Sequence, residues 1–218
     1  MLIGILGTGT LAEALGTCWA RAGHDLIIGG RSRSRAKALA SRLDGAARAG
    51  SPREAVTERD AVLLAVPWEG VAEILDAAGA ARGALGGIAL IDPVNAVEHG
   101  VGLLRTPPGE AAAEQIAAMA PGAHVVKAFH LFPASQWTTS GDQEPVTVAM
   151  CGDDPAALRA VGQLVRDAGG VPAVLGSLNR ARQLEEIAGF VIGLVFAGVD
   201  PRLAIPSVPA QAIPTDAA

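Results

Sequence analysis

Apolar residues in this chain fall in short unbroken runs, separated by longer stretches in which apolar positions recur every three or four residues. The runs cover residues 2–6, 26–28, 61–66, 88–91, 125–129, 146–150 and 171–175. Most are apolar at consecutive positions, as expected of strands covered on both faces. The amphipathic stretches cover 11–22, 34–43, 70–78, 110–119 and 155–168. Strand and helix patterns that alternate in this way predict βαβ units. The expected fold is therefore α/β, with a doubly wound, mostly parallel sheet.

Two segments depart from the pattern. Residues 177–197 predict one last helix, polar at its start (Asn179, Arg180, Arg182, Gln183) and apolar from Phe190 to Phe196. Its second half is hydrophobic almost all round, so it is expected to be buried, a second subunit being one candidate cover. From Ile205 onward, Pro206, Pro209 and Pro214 interrupt any helical period, and a disordered tail is expected. The predicted organisation is a main domain over 1–176, a C-terminal helical segment over 177–204 and a tail over 205–218.

Charge and composition narrow the partners. The formal net charge is −5, which argues against nucleic acid, since phosphate contacts need a basic surface. No apolar run is long enough to span a bilayer. Residues 2–6 read as a strand rather than a leader, so a cytoplasmic protein is expected. Cys18 and Cys151 are far apart and are expected as buried thiols. His24, His99, His124 and His130 lack metal-ligand spacing, and no metal site is expected.

The first run leads into Gly7-Thr8-Gly9-Thr10-Leu11-Ala12 and then a helix. This G-x-G-x-x-A pattern, between a strand and a helix, is the dinucleotide-binding arrangement of a Rossmann-type domain. Gly7 permits the tight turn, Gly9 lets backbone approach a pyrophosphate, and Ala12 allows close helix–strand packing. Where NAD sites place an acid, the second strand ends in Gly29-Gly30 and continues Arg31-Ser32-Arg33-Ser34-Arg35. Arginine forks suit a 2′-phosphate, and three arginines at a helix start would otherwise oppose its dipole. NADP(H) is the expected nucleotide. After the 61–66 run, Pro67-Trp68 lies over the same crevice, where Trp68 either walls the nicotinamide end or fills core.

The second-substrate side is expected beyond the next strands, at Asn95 and His130. Lys127 either pairs with an acid such as Asp92 or points to solvent. The chain has no tyrosine, which excludes a Tyr-x-x-x-Lys catalytic pair. That favours direct hydride transfer between two pre-oriented rings.

Taken together, these landmarks resemble the NADPH:coenzyme F-420 oxidoreductases, the deazaflavin-dependent NADP reductases. The resemblance rests on Gly7–Leu11, Gly23-His24-Asp25 leading to Gly29-Gly30-Arg31, Pro67-Trp68-Glu69, the stretch 125–133 with His130, Cys151-Gly152-Asp153-Asp154, and 177–182. It implies that Thr8 to Leu11 hold the pyrophosphate and that Arg31 and Arg35 hold the 2′-phosphate. It also implies that Trp68, Ala72 and Val97 line the nucleotide pocket, and that His130, Phe132 and Pro133 lie near the deazaflavin ring. Gly7, Ser32 and Pro67 complete the candidate nucleotide contacts. The implied reaction is reversible hydride exchange between NADP(H) and coenzyme F-420 in a homodimer, with His130 orienting the second substrate. The sequence departs from the family at Gly30, where a serine is frequent, and in the polar loop Asp92-Pro93-Val94-Asn95. Two other readings are a reductase of a small C=N or C=C substrate, with the 92–95 loop and His130 as polar contacts and proton donor, and a non-catalytic NADP(H) sensor.

Overall fold

The computed structural model describes residues 1–43, 45–138 and 144–206. Strand β1 (Leu2–Leu6) is buried from Ile3 onward and sits centrally, which is why its apolar residues are consecutive rather than alternating. It is flanked by β2 (Asp25–Gly29) and β4 (Ala61–Leu64), both parallel to it. The eight strands run in the order β3-β2-β1-β4-β5-β6-β7-β8. The chain therefore winds outward from β1 through β2 to β3 (Ala47–Gly50), then returns to the other side of β1 at β4. That reversal leaves a crevice beyond the carboxyl ends of β1 and β4, where open α/β sheets bind ligands.

Strands β5 (Ala89–Asp92) and β6 (His124–Lys127) extend the parallel sheet, while β7 (Thr147–Gly152) runs antiparallel to β6. The edge strand β8 (Val171–Val174) pairs parallel with β7 and leaves Val171 and Val174 about half exposed. Helices cover both faces. On one, α1 (Thr10–Arg21), α2 (Arg33–Ser41) and α6 (Pro155–Asp167) bury Leu15, Trp19, Leu39 and Leu164 against Ile3, Ile28 and Val126. On the other, α4 (Val71–Ala78) and α5 (Ala112–Met119) bury Ile74, Leu75 and Ile116 against Leu64 and Leu90. No helix among the described residues is long and apolar enough to cross a membrane.

Two elements have no counterpart in the sequence reading. One is β3, whose Ala-Arg-Ala-Gly lacks an apolar run. The other is α3 (Pro52–Val56), which is only five residues long and is set by a capping box between Ser51 and Glu54. It lies so close to the sheet that a Cβ at Gly4 would collide with the Ala55 carbonyl.

The last helix, α7 (Ala181–Phe196), follows a 3-10 turn at Leu178–Arg180. Within the single chain it is the first half, which reads as polar, that is buried, and not the apolar second half for which burial is expected. Ala181, Leu184, Glu185 and Ala188 are buried, but Phe190, Val195 and Phe196 are each about half exposed. The described residues cover the second half only in part: residues 191–194 are half-buried, and the His99 ring meets Phe196 edge to face at 4.8 Å. Both cysteines are free; Cys151 is buried as expected, whereas Cys18 is only partly buried, its thiol donating to the Trp137 carbonyl at 3.1 Å. The tail expected from 205 lies, from 207 on, outside the described residues.

Candidate dinucleotide and second-substrate site

The cradle begins at Gly7. Its φ of +137° suits glycine, and a side chain there would collide with the Ala65 carbonyl. Its N–H donates to the Gly29 carbonyl at 2.8 Å, tying the turn to β2. Gly9 is different, because a Cβ there would meet nothing within 4 Å. The protein itself has no packing need for glycine at this position, so the space it leaves is available to a ligand. Gly9 is also the N-cap of α1 and supplies no side-chain cap. The first N–H groups of α1 therefore face the crevice with their partial positive charge. Glu13, the acid of that first turn, is held by Arg42 at 2.6 and 2.9 Å, and the Arg42 hydrogen bonds keep its carboxyl below the ordinary range.

Three adjoining cavities run from this cradle. The first, about 300 Å³, is lined by Gly7, Thr8, Gly9, Gly30, Arg31, Ser32 and Arg35, facing Ala65 to Pro67. The second, about 440 Å³, shares Gly9 and Ala65 to Pro67 with it and adds Thr10, Leu11, Trp68, Asn95, Val97, His99 and Arg105. The third, about 340 Å³, shares Asn95 with the second. It is walled by His130, Phe132, Pro133 and the face of α7 bearing Ala188, Val191, Ile192, Val195 and Phe196. The sequence-predicted residues thus come together along one crevice, except Ala72. That residue is exposed on α4 and lines none of the three.

The arginine end is open to solvent. Arg31 pairs with Glu73 at 2.8 Å, both side chains more than half exposed; such pairs contribute little and exchange readily for an anion. Ser32 caps α2, its Oγ accepting from the Arg35 N–H at 3.3 Å, which places Arg35 in the first turn. No acid lies in that first turn of α2. Trp68 opens a 3-10 turn at Trp68–Gly70 and is half-buried, so it is both wall and partial core.

The second-substrate end is apolar. His130 is 5% exposed, and neither ring nitrogen has a hydrogen-bond partner. Burial, and then the nearby Lys127 charge, push its pKa down to about 3. The imidazole is therefore neutral at physiological pH and its nitrogens are shielded from water. Phe129 precedes it at φ +61°, a strained conformation for a bulky residue. Edge-to-face contacts hold that ring against Trp19 (6.1 Å) and Trp137 (5.3 Å). Asn95 donates from Nδ2 to the His130 carbonyl at 2.6 Å, leaving its Oδ1 buried and unpaired.

Lys127 is fully buried and pairs with Asp92 and with Glu185, each at 3.1 Å. That decides between the two readings the sequence allowed, and it adds a partner the sequence did not single out. The available signal was an acid, Glu185, on the helix face that also carries Ala181, Leu184 and Ala188. Arg105 and His99 were missed as well. They sit on a hairpin over residues 96–105, closed by a bridge between Val97 and Leu104, and Arg105 pairs with Glu69 across the crevice.

A glycine turn between β1 and α1, set at the sheet's switch point, defines a dinucleotide-binding α/β domain. Residues 2–96 match the family model described as coenzyme F-420-dependent NADP oxidoreductase. The chain is 30% identical over 185 residues to the metalloreductase STEAP3 of Rattus norvegicus, covering 85% of this chain and 36% of that protein. It spans about a third of the length of the curated relatives it matches. Among solved structures, an Arthrobacter protein assigned as an F-420-dependent NADP reductase superposes with a TM-score of 0.79 at 26% identity, covering 91% of this chain and 96% of that one. An imine reductase of Streptomyces aurantiacus shares the fold, with a TM-score of 0.64 at 18% identity over 90% of this chain and 62% of its own.

Proposed function

We propose that the protein exchanges hydride between NADP(H) and a deazaflavin, coenzyme F-420. The observation that carries this reading is the continuous crevice from Arg31 and Arg35, past Gly9, to the apolar slot beside Asn95, His130 and Phe132. The open space at Gly9 and the uncapped start of α1 fit a pyrophosphate, and the arginines fit a 2′-phosphate. The nicotinamide, when bound, supplies or accepts the hydride. Trp68 and Val97 wall the middle cavity, while Phe132, Pro133 and the α7 face shape a flat slot for a ring system. The protein's contribution is then proximity and exclusion of water.

His130 fits this chemistry in its neutral form. Hydride transfer from carbon to carbon needs no acid at the accepting carbon, and the balancing proton goes from solvent to a ring nitrogen of the deazaflavin, since the slot's polar side chains are Asn95 and a neutral, shielded imidazole. A sensor would need only the nucleotide half of the crevice. The exposed apolar half of α7 adds a second copy of the chain as the proposed partner.

The test is anaerobic mixing of the protein with NADPH and oxidised coenzyme F-420, following the deazaflavin's visible absorbance. Rapid bleaching, much slower with NADH, is expected. NADPH binding without bleaching would overturn the assignment of the second substrate.

A further inference from the structure

Behind the second-substrate slot lies a closed ionic network that the motifs do not include. Asp92 and Lys127 end adjacent parallel strands and are register partners. Glu185 reaches them from α7, and all three side chains are fully buried. The three N–H donors of Lys127 go to Asp92 Oδ2, to Glu185 Oε1 and to the Val94 carbonyl. Asp92 Oδ1 accepts from the Val94 N–H at 2.8 Å. The Glu185 oxygens accept from the Ala112 and Ala113 N–H groups, at 2.8 and 3.0 Å, at the start of α5. Every polar atom of the three side chains is therefore engaged. Burial drives the Asp92 carboxyl upward, against the pull of Lys127.

Each wall of the slot hangs from this network. Both backbone polar groups of Val94 are fixed by it, and Asn95 follows directly. His130 lies three residues past Lys127, and its carbonyl is held by Asn95. On α7, Glu185, Ala188, Ile192 and Val195 follow one another at spacings of three, four and three, so they share one face. Burying Glu185 therefore fixes the rotation and height at which α7 presents Ile192 and Val195 to the slot. A completely satisfied buried ion network is weak support for stability, because apolar residues of similar size often do as well. What it enforces is one arrangement of the groups attached to it.

We infer that Asp92, Lys127 and Glu185 are positioning residues for the second substrate: they hold the 93–95 loop, the 130–133 loop and α7 in mutual register. The inference rests on the slot being the second-substrate site. It gives Lys127 no contact with either substrate, since its donors are all consumed.

The test compares wild type with Glu185→Gln, and with the apolar triple Asp92→Leu/Lys127→Met/Glu185→Leu, which leaves no uncompensated charge. NADPH affinity is read by fluorescence, steady-state constants with coenzyme F-420, and backbone hydrogen exchange by peptide. In Glu185→Gln the KM for coenzyme F-420 is expected to rise by about tenfold or more, as misplacement of a binding wall does. NADPH affinity and exchange over residues 7–12 stay as in wild type, while exchange over 93–97 and 188–196 increases. The triple is expected to fold and to show the same split. Unchanged KM and unchanged local exchange in a folded variant would overturn the inference. So would a uniform rise in exchange, or failure of both variants to fold, either of which makes the network a stability element. If wild type does not turn over coenzyme F-420, the proposed function falls and the exchange pattern alone decides the role of the network.

Discussion

A histidine with two unpaired nitrogens in an apolar wall is a liability in acid. In the folded chain His130 takes a proton only near pH 3, whereas its ordinary value is 6.5. Below that ordinary value the unfolded chain binds a proton that the folded chain refuses, so stability falls as pH drops from about 6.5 toward 3. Above it, His130 contributes no pH dependence. The slope approaches about 1.4 kcal/mol per pH unit, or roughly 2–3 kcal/mol between about pH 6 and pH 4. Urea unfolding of wild type and His130→Leu over that range checks this. The carboxylates titrate alike in both proteins, so the variant should lose less stability in acid by that amount. Parallel curves would mean that His130 finds a partner or water in solution. Its position in the sequence was readable, at a strand end between Phe129 and Leu131. Its neutrality was not, because that depends on burial by α7 and on a lysine charge whose location only the fold reveals. Gly9 is the opposite case, since its role as open space beside a helix start followed from the local pattern alone.

Among the elements, the hairpin over 96–105 links the two halves of the crevice. One side carries Val97, His99 and Arg105 toward the nucleotide cavity. The other side lies backbone to backbone on α7: a Cβ on Gly102 or on Gly189 would strike the other's carbonyl, and one on Gly193 would sit 3.0 Å from the Val101 carbonyl. This close approach gives the substitution Gly189→Ala a decisive sign. In a free helix, alanine for glycine stabilises by about 1 kcal/mol. Here the collision should outweigh that gain and destabilise by ~1–3 kcal/mol, the usual cost of overpacking. Displacing the hairpin should also weaken NADPH binding. Chemical denaturation and nucleotide titration measure both, and a stabilised variant would mean the hairpin is not pinned to α7. None of this was legible in the sequence, where the glycines of 96–105 and α7 carry no mark of a shared contact. The α/β alternation was legible because central strands need consecutive apolar residues. Strand β3 and helix α3 were not, being too short and too polar to show a period, and α3 is fixed instead by its cap and by its seat on Gly4.

For the molecule as a whole, the unbalanced feature is the far half of α7. Phe190 (48%) is exposed there with Val101 and Leu103 of the hairpin around a groove of about 690 Å³, and Val195 (56%) and Phe196 (51%) are exposed beside the second-substrate slot. Several large apolar side chains exposed along half of one helix mark an interaction site. A helix of 16 residues is about 24 Å long, enough for two copies to pack α7 against α7 around a twofold axis. Val195 and Phe196 also wall the second-substrate slot, so a partner copy lying on them would close the slot from outside. Assembly and second-substrate binding should therefore be lost together, while the nucleotide cradle at the other end of the crevice is spared. Sedimentation equilibrium is expected to show a dimer for wild type and a monomer for Phe190→Glu. The monomer should keep NADPH affinity and show a raised KM for coenzyme F-420. A wild type that stays monomeric at tens of micromolar would overturn the dimer. A monomeric variant with unchanged KM would show that the single chain already holds the complete slot.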